Sequence, residues 1–431
     1  MASPILNFDK GSLDLSHVHP SEPLYVSTGQ KPPLPPSSKR AQTILGRMAP
    51  LQRFSPLPPL PPRPSKPSKS SRFKIDNVEL SVVRLIGLGA GGKVYLAKLI
   101  SDSATPVRQL ALKVLDVVEG LVSTEEDNLR EIPLGIAPDI FATGLIRGYH
   151  FSGHHGILME AYKGDLFFYG KAAFSRRINS VYLGNVVFFM RKAVVLLSKL
   201  HKEGFVHGDF KPLNIVYNNK DDVRIIDYSS LFKGTRANYS ELTYQYIPPE
   251  SITVLYDSVT SEFKVCSSVD SSLDVWSFGV SLIEMLFDSP FFYEEEGDFM
   301  DYMNNVLDLL GRPPREFVSI EGDRERLYFH SFDEDCVRKF RPLEREENRS
   351  TEDVRGYFMN YIRERLGFFK VTLDAGVKIS GQSGEDFIEN LADLLSKIFR
   401  WKPADRITSE EILQHPFFHN TRNSSVISLR C

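Results

Sequence analysis

Asp209, Asn214 and Asp227 are the side chains whose types and spacing most clearly point to chemistry. They fall in two short segments, His207-Gly208-Asp209-Phe210-Lys211-Pro212-Leu213-Asn214 and Asp227-Tyr228-Ser229. A short apolar run, 215–217, follows the first, and another, 223–226, precedes the second. Two strand-terminal segments of this kind present the three side chains close together. Carboxylate and amide oxygens are the ligands a hard cation such as Mg²⁺ takes, and one carboxylate can instead face an incoming hydroxyl, which together suit phosphoryl transfer. Lys113 adds a cation. It lies in Ala111-Leu112-Lys113-Val114, nineteen residues past Val94, and a lysine in an apolar strand is costly to bury without an anionic partner. Phosphate oxygens supply such a partner, and an acid on a nearby helix would orient the ammonium. Glu131 is the expected acid, with Glu125 and Glu126 behind it, although Pro133 follows closely and disturbs a continuing helix. Gly87-Leu88-Gly89-Ala90-Gly91-Gly92-Lys93-Val94 completes the set. Its glycines let backbone N–H groups lie close over a phosphate chain. A dinucleotide site uses a similar pattern to open a helix, whereas here both flanks read as strands. A glycine-rich hairpin without a ligand is the alternative for that motif taken alone.

These residues need elements to hold them. Residues 78–86 and 93–99 alternate like strands around the glycine turn, and 109–114 is a third apolar strand. Residues 185–203 read as a long helix with Val186, Phe189, Ala193, Leu196 and Leu200 on one face, and Gly204 is placed to end it. After Ser272 the composition is mainly helical. Within 290–384, Ser350-Thr351-Glu352-Asp353 has the form of a helix cap, and Val354, Phe358, Tyr361, Ile362 and Leu366 form one apolar stripe that ends at Gly367. That region is expected to be a set of peripheral helices with loops. A small strand-rich part followed by a larger helical part predicts two lobes, and no internal repeat is seen.

Charge narrows the classes. The formal net charge is −3, but residues 1–30 carry −2, residues 31–75 carry +10, and the remainder carries −11. A mostly acidic chain with one short basic tract argues against a general nucleic-acid-binding surface. Cys266, Cys336 and Cys431 match no metal spacing and read as reduced thiols. The first ten residues lack the pattern of a signal peptide, and no run approaches the roughly 18 uninterrupted apolar residues of a membrane span. The expectation is a soluble protein of the cytoplasm or nucleus. Residues 1–72 are rich in Pro, Ser and basic residues without apolar periodicity, and are expected to be a disordered tail. Within 50–65, the run Leu57-Pro58-Pro59-Leu60-Pro61-Pro62-Arg63 favours polyproline II. It reads either as a ligand for a polyproline-reading domain or as a stiff spacer.

From about Ile75 to His419 the chain resembles a eukaryotic protein kinase of the serine/threonine type. The resemblance rests on the motifs above and on Thr243 and Tyr246 before Pro248-Pro249-Glu250, on Asp274-Val275-Trp276-Ser277-Phe278-Gly279, on Pro403-Ala404-Asp405-Arg406-Ile407-Thr408, and on His415-Pro416-Phe417-Phe418. It implies an α+β, bilobal fold with a small antiparallel N-lobe over 73–162, a larger mainly helical C-lobe over 163–420, and a short tail over 421–431. It implies ATP and Mg²⁺ as cofactors and a protein substrate with a serine or threonine acceptor. Gly87, Gly89 and Gly92 would form the phosphate loop, and Lys113 would hold the nucleotide phosphates with Glu131 as its partner. Asp209 would be the hydroxyl-facing base, Lys211 would steady the transferred phosphate, and Asn214 and Asp227 would hold the metal. Val94, Ala111 and Val216 would sandwich the adenine, Met159 would sit behind it, and Glu160 and Tyr162 would present backbone groups to its edge. Arg406 would pair with Glu250. The four central groups, Lys113, Asp209, Asn214 and Asp227, are expected to converge.

The chain departs from that family at several positions. Gly208 stands where most members carry an arginine that meets a phosphate on the activation segment, so dependence on such phosphorylation loses one basis. Ser229 replaces a glycine and lacks its conformational freedom. Gly91 stands at the tip of the phosphate loop, where an aromatic is common. These departures keep open a catalytically weak or inactive scaffold. A small-molecule phosphotransferase shares the His-Gly-Asp and Asn spacing, but Lys211, Pro248-Pro249-Glu250 and Asp274-Val275-Trp276 argue against it.

Overall fold

Period-two alternation builds the first of two units that the chain forms. Its strands are β1 (Arg72–Ile75), β2 (Val78–Gly89), β3 (Gly92–Ile100), β4 (Gln109–Leu115), β5 (Arg147–Phe151) and β6 (His154–Glu160), with one helix, α1 (Thr124–Glu131). They form an antiparallel sheet in the order β1-β2-β3-β4-β6-β5. The computed structural model describes residues 72–75, 78–89, 92–100, 109–115, 124–133, 147–151, 154–174, 178–219, 221–237, 243–257, 262–265, 268–288, 291–292, 299–311, 320–321, 324–328, 349–371 and 378–419. The expected tail before residue 72, its proline-rich run, the tail over 421–431, Ala90, Gly91 and the three cysteines lie outside the described residues. The units divide between Tyr162 and Lys163.

Along β4, Leu110, Leu112 and Val114 point into one apolar cluster with Leu80, Val82, Leu85, Tyr95 and Leu158. Ala111 and Lys113 therefore point to the opposite face. Cross-strand register decides what shares that face, because directly opposed residues project to the same side. Lys113 opposes Val94 and Ile157, Ala111 opposes Leu96 and Met159, and Val94 opposes Gly87. Irregularities between Val82 and Arg84 and between Leu85 and Gly87 bend β2 on its approach to the glycine turn.

The second unit is built on two buried helices. A two-residue strand, β7 (Gly164–Asp165), leads into α2 (Leu166–Phe174) and then α3 (Ser180–Lys202). Asn179 caps α3 by accepting from the Tyr182 N–H. Val186, Phe189, Ala193, Leu196 and Leu200 are all buried, so the predicted face packs inward. The helix closes at Glu203, and Gly204 takes φ +80°, the left-handed turn its lack of a Cβ permits. By length and composition alone α3 is apolar enough to cross a membrane, and 61% of that apolar stretch is buried within the protein.

Short segments follow: β8 (Phe205–Val206), β9 (Ile215–Tyr217), β10 (Val223–Ile225), β11 (Phe232–Lys233) and β12 (Arg236–Ala237). Next come β13 (Thr253–Asp257), β14 (Glu262–Val265), β15 (Ser268–Val269) and the central helix α4 (Ser272–Phe287). Every residue of α4 from Leu273 to Phe287 is buried. Gly279 is where α4 meets the later chain, since a Cβ there would stand 2.6 Å from Ile398 and 2.9 Å from Phe399. The remaining elements are α5 (Phe299–Leu310), β16 (Ile320–Glu321), β17 (Arg324–Tyr328), α6 (Thr351–Phe368), α7 (Gly384–Ile398), α8 (Ser409–Gln414) and α9 (Pro416–His419). Ser350 and Asp353 form the expected capping box of α6, and its stripe from Val354 to Leu366 is buried.

One expectation fails here. Peripheral helices with loops are the expectation over 290–384, yet β16 and β17 join β13 and β14 in a four-stranded sheet of order β14-β13-β17-β16. Val254 opposes Leu327, a partner 73 positions away. Arg324-Glu325-Arg326-Leu327-Tyr328 shows little strand propensity, so its partner rather than its own composition makes it a strand.

Candidate active site

The loop between β8 and β9 hangs from the first turn of α4. Asp274, fully buried, accepts hydrogen bonds from the backbone N–H of His207 at 2.7 Å and of Gly208 at 3.0 Å. Its second partner group is the His201 ring at the end of α3, 2.9 Å away. One carboxylate thus fixes two consecutive peptide groups. Gly208 sits at φ +84°, a conformation suited to a residue without a Cβ, so no side chain is projected from that point of the loop. The His207 ring lies between the loop and the next segment. Its Nε2 is 3.1 Å from the Ile226 carbonyl and its Nδ1 accepts the Asp209 N–H at 3.3 Å, so a single tautomer with the proton on Nε2 satisfies both.

Asp209 is held at both oxygens. The Thr243 hydroxyl donates to Oδ1 at 2.7 Å, and Lys211 Nζ donates to Oδ2 at 2.6 Å. Lys211 also donates to the Thr243 hydroxyl at 3.0 Å, which closes a three-membered network. Asn214 Nδ2 donates to the Asp209 carbonyl at 2.8 Å and lies 3.2 Å from Oδ2. With its nitrogen so engaged, the amide of Asn214 turns its oxygen the other way. The Asn214 carbonyl in turn accepts the Ile226 N–H at 2.9 Å, and β9 pairs with β10 from Ile215 opposite Ile225. This pairing brings Asn214 and Asp227 to the same end of one hairpin. Asp227 itself stands at φ +65°. Tyr228 is buried against His207 with ring centres 5.1 Å apart, and its hydroxyl donates to the Ile225 carbonyl at 3.1 Å.

Val216, on β9, is buried and opposes Asp165 of β7. Asp165 accepts the Phe168 N–H at 2.9 Å at the start of α2. Burial raises its carboxyl to a pKa of about 6, against the lowering effect of that backbone donor. Farther along, Tyr246 donates to buried Glu284, whose carboxyl is pushed up by burial, and Ser277 donates to the Tyr246 carbonyl at 2.8 Å. These bonds seat the segment that carries Thr243. Arg406 forks onto Glu250, with one bond of 2.6 Å, which is the pair the resemblance implies, and its guanidinium also stacks 4.9 Å from the Trp276 ring centre.

In the first unit, Lys113 is buried and its ammonium lies 2.6 Å from Glu125 Oε2. Glu125 is therefore the acid that orients it, and the expectation of Glu131 is corrected, since Glu131 is exposed at the last position of α1. Six residues along an α-helix turn through about 600°, which places Glu131 well off the face that Glu125 presents. Gly87, Gly92, Val94, Ala111, Lys113 and Met159 share one sheet face by register, with Val94 and Met159 half-buried. Glu160 ends β6 and Tyr162 follows it, both half-buried, while the Ala161 N–H between them bonds to the Gln109 carbonyl. Gly89 opposes Gly92 across the turn.

Sequence reasoning left four participants out of the site: Glu125 as the first choice, Thr243, Asp165 and Asp274. Thr243 and Asp274 lay inside recognised motifs, but their bonds to Asp209 and to the loop backbone cross 34 and 66 or more residues. Asp165 had a local signal, an Asp after a glycine at the head of an apolar helix.

A family model described as the protein kinase domain matches residues 80–418. A probable cAMP-dependent protein kinase catalytic subunit of Encephalitozoon cuniculi is 27% identical over 230 residues, covering 52% of this chain and 65% of that protein. A probable serine/threonine-protein kinase, glkA, of Dictyostelium discoideum is 22% identical over 346 residues, covering 80% of this chain and 60% of that protein. Extracellular signal-regulated kinase 1 of Candida albicans is 26% identical over 242 residues, covering 54% and 49%. The chain thus spans between about half and two thirds of the length of these relatives.

Proposed function

The chain belongs to the protein kinase family, and on that footing we propose that it moves the γ-phosphoryl group of magnesium-bound ATP onto serine or threonine hydroxyls of protein substrates. The observation that carries this reading is the closed network of Asp209, Lys211 and Thr243. A carboxylate whose two oxygens are both held is aimed, and an aimed carboxylate can orient an acceptor hydroxyl and take its proton as the new phosphate ester forms. Lys211, already beside Asp209, places a positive charge where the transferred phosphoryl oxygens would be stabilised. The name of one relative above, a probable serine/threonine-protein kinase, supports the choice of acceptor class.

The residues present fit a magnesium ion. The Asn214 nitrogen is committed to the Asp209 carbonyl, so the amide offers its oxygen, and Asp227 offers a carboxylate at the same hairpin end. Among the described residues no group of three or more His, Cys, Asp or Glu side chains is arranged to hold a metal. A pair of oxygen donors suits Mg²⁺, which keeps waters and takes the rest of its shell from phosphates. Bound there, magnesium would neutralise charge on the nucleotide phosphates. Lys113 would bind phosphate oxygens, with Glu125 holding its ammonium in place, and the sheet face bearing Val94, Ala111 and Met159 would receive the adenine.

The test is a purified-protein assay with labelled ATP, magnesium and a mixture of protein acceptors, followed by identification of the labelled amino acid. Phosphoserine and phosphothreonine are expected, and label should disappear with Asp227→Ala. Label on tyrosine would overturn the acceptor class. No transfer by the wild-type chain across a broad acceptor set would favour the scaffold reading.

A further inference from the structure

Asp227 is one of only four described residues other than glycine with a positive φ, and what surrounds it differs on its two sides. Upstream, Ile226 is tied by its N–H to the Asn214 carbonyl. Downstream, the buried ring and hydroxyl of Tyr228 hold the next residue. The turn then closes with the Leu231 N–H on the Tyr228 carbonyl at 3.2 Å. Within this turn the Ser229 hydroxyl donates to Asp227 Oδ1 at 3.0 Å. An Asp side chain in a turn commonly accepts from the backbone N–H two residues on, and here the hydroxyl of that residue reaches the carboxylate. A glycine at this position, the residue seen in the related pattern, has no such donor.

Resting on the reading of Asp227 as a magnesium ligand, we propose that Ser229 is a positioning residue that fixes the Asp227 carboxylate for divalent-cation binding. Backbone restraint at Ile226 and Tyr228 sets where the Asp227 Cα sits, and the Ser229 hydroxyl bond restrains the carboxylate itself. A carboxylate already oriented loses less freedom when a cation arrives, and groups that bond to a metal-ligating carboxylate commonly govern metal affinity as strongly as the ligand's own geometry. The same bond ties the turn to itself, so this segment is ordered by a donor in its own sequence.

The test measures divalent-cation binding directly. Manganese binding to the protein in the presence of a non-hydrolysable ATP analogue is followed by electron paramagnetic resonance for wild type, Ser229→Ala, Ser229→Thr and Asp227→Ala. Ser229→Ala is expected to weaken cation affinity by about 10-fold. It should raise the magnesium concentration for half-maximal turnover in the same proportion, with kcat at saturating magnesium and the melting temperature little changed. Ser229→Thr, which keeps the hydroxyl, is expected to restore affinity. Wild-type affinity in Ser229→Ala, with affinity lost in Asp227→Ala, would overturn the role of Ser229 and leave the site assignment standing. Wild-type affinity in Asp227→Ala would overturn the site assignment itself.

Discussion

The loop carrying Asp209 and the sheet carrying Lys113 hold their functional groups in different ways. Around Asp209, the restraint is redundant: a fully buried Asp274 grips two backbone N–H groups, His207 bridges to Ile226, and Lys211, Thr243 and Asn214 all bond to Asp209. At Lys113 an ion pair to Glu125 sets the direction of the ammonium and strand register sets the face. A group that must act at one point in space benefits from many small fixed contacts. An ammonium that binds diffuse phosphate charge on a flexible stem needs its direction set and little more. In this chain the backbone of the loop does as much to position Asp209 as the side chains around it.

Breaking the redundancy at its root should have the largest effect. Asp274→Asn keeps the shape but turns an amide N–H toward a backbone donor and removes the charge facing His201, so it should cost about 2–4 kcal/mol of folding stability. Urea unfolding of the variant against wild type measures it. A change within a few tenths of a kcal/mol would show that the loop is anchored elsewhere. At the sheet, a paired comparison sharpens the contrast. Glu125→Gln removes the charge that orients Lys113 and should reduce kcat/KM by about 10-fold or more, in keeping with the value of one charge-assisted hydrogen bond. Glu131→Gln, at the exposed end of the same helix, should leave kcat/KM within twofold. Equal losses in the two variants would remove Glu125 from its assigned place.

How much of this was legible in the sequence follows from distance along the chain. Asp209, Lys211 and Asn214 lie within one turn and loop, and Asp227 follows just after the partner strand of a short hairpin, so their proximity could be read from local pattern. The strands around the glycine turn, helix α3 with its Gly204 terminus, and the Ser350 cap were likewise written in nearby residues. Glu125 was not, because the three candidate glutamates on one short helix differ only in which face they occupy, and the Pro133 signal says where the helix ends rather than which way it is turned. The sheet of β13, β14, β16 and β17 was also hidden. Its two strand pairs, β13 with β14 and β16 with β17, are separated by dozens of residues, and charged Arg324-Glu325-Arg326 is held as a strand across that gap by Tyr256 and Leu255. Thr243 was noticed as part of a motif, but its bonds to Asp209 and Lys211 belong to tertiary structure.

Asp209→Asn tests the central claim most directly. It keeps the size of the side chain and an acceptor for Thr243, while removing the charge that faces Lys211 and the capacity to take a proton. Phosphoryl transfer to a protein serine or threonine should fall by about 10²–10⁴, the share a positioned acid–base group contributes, with affinity for a non-hydrolysable ATP analogue retained. Transfer at the wild-type rate by Asp209→Asn would contradict the account.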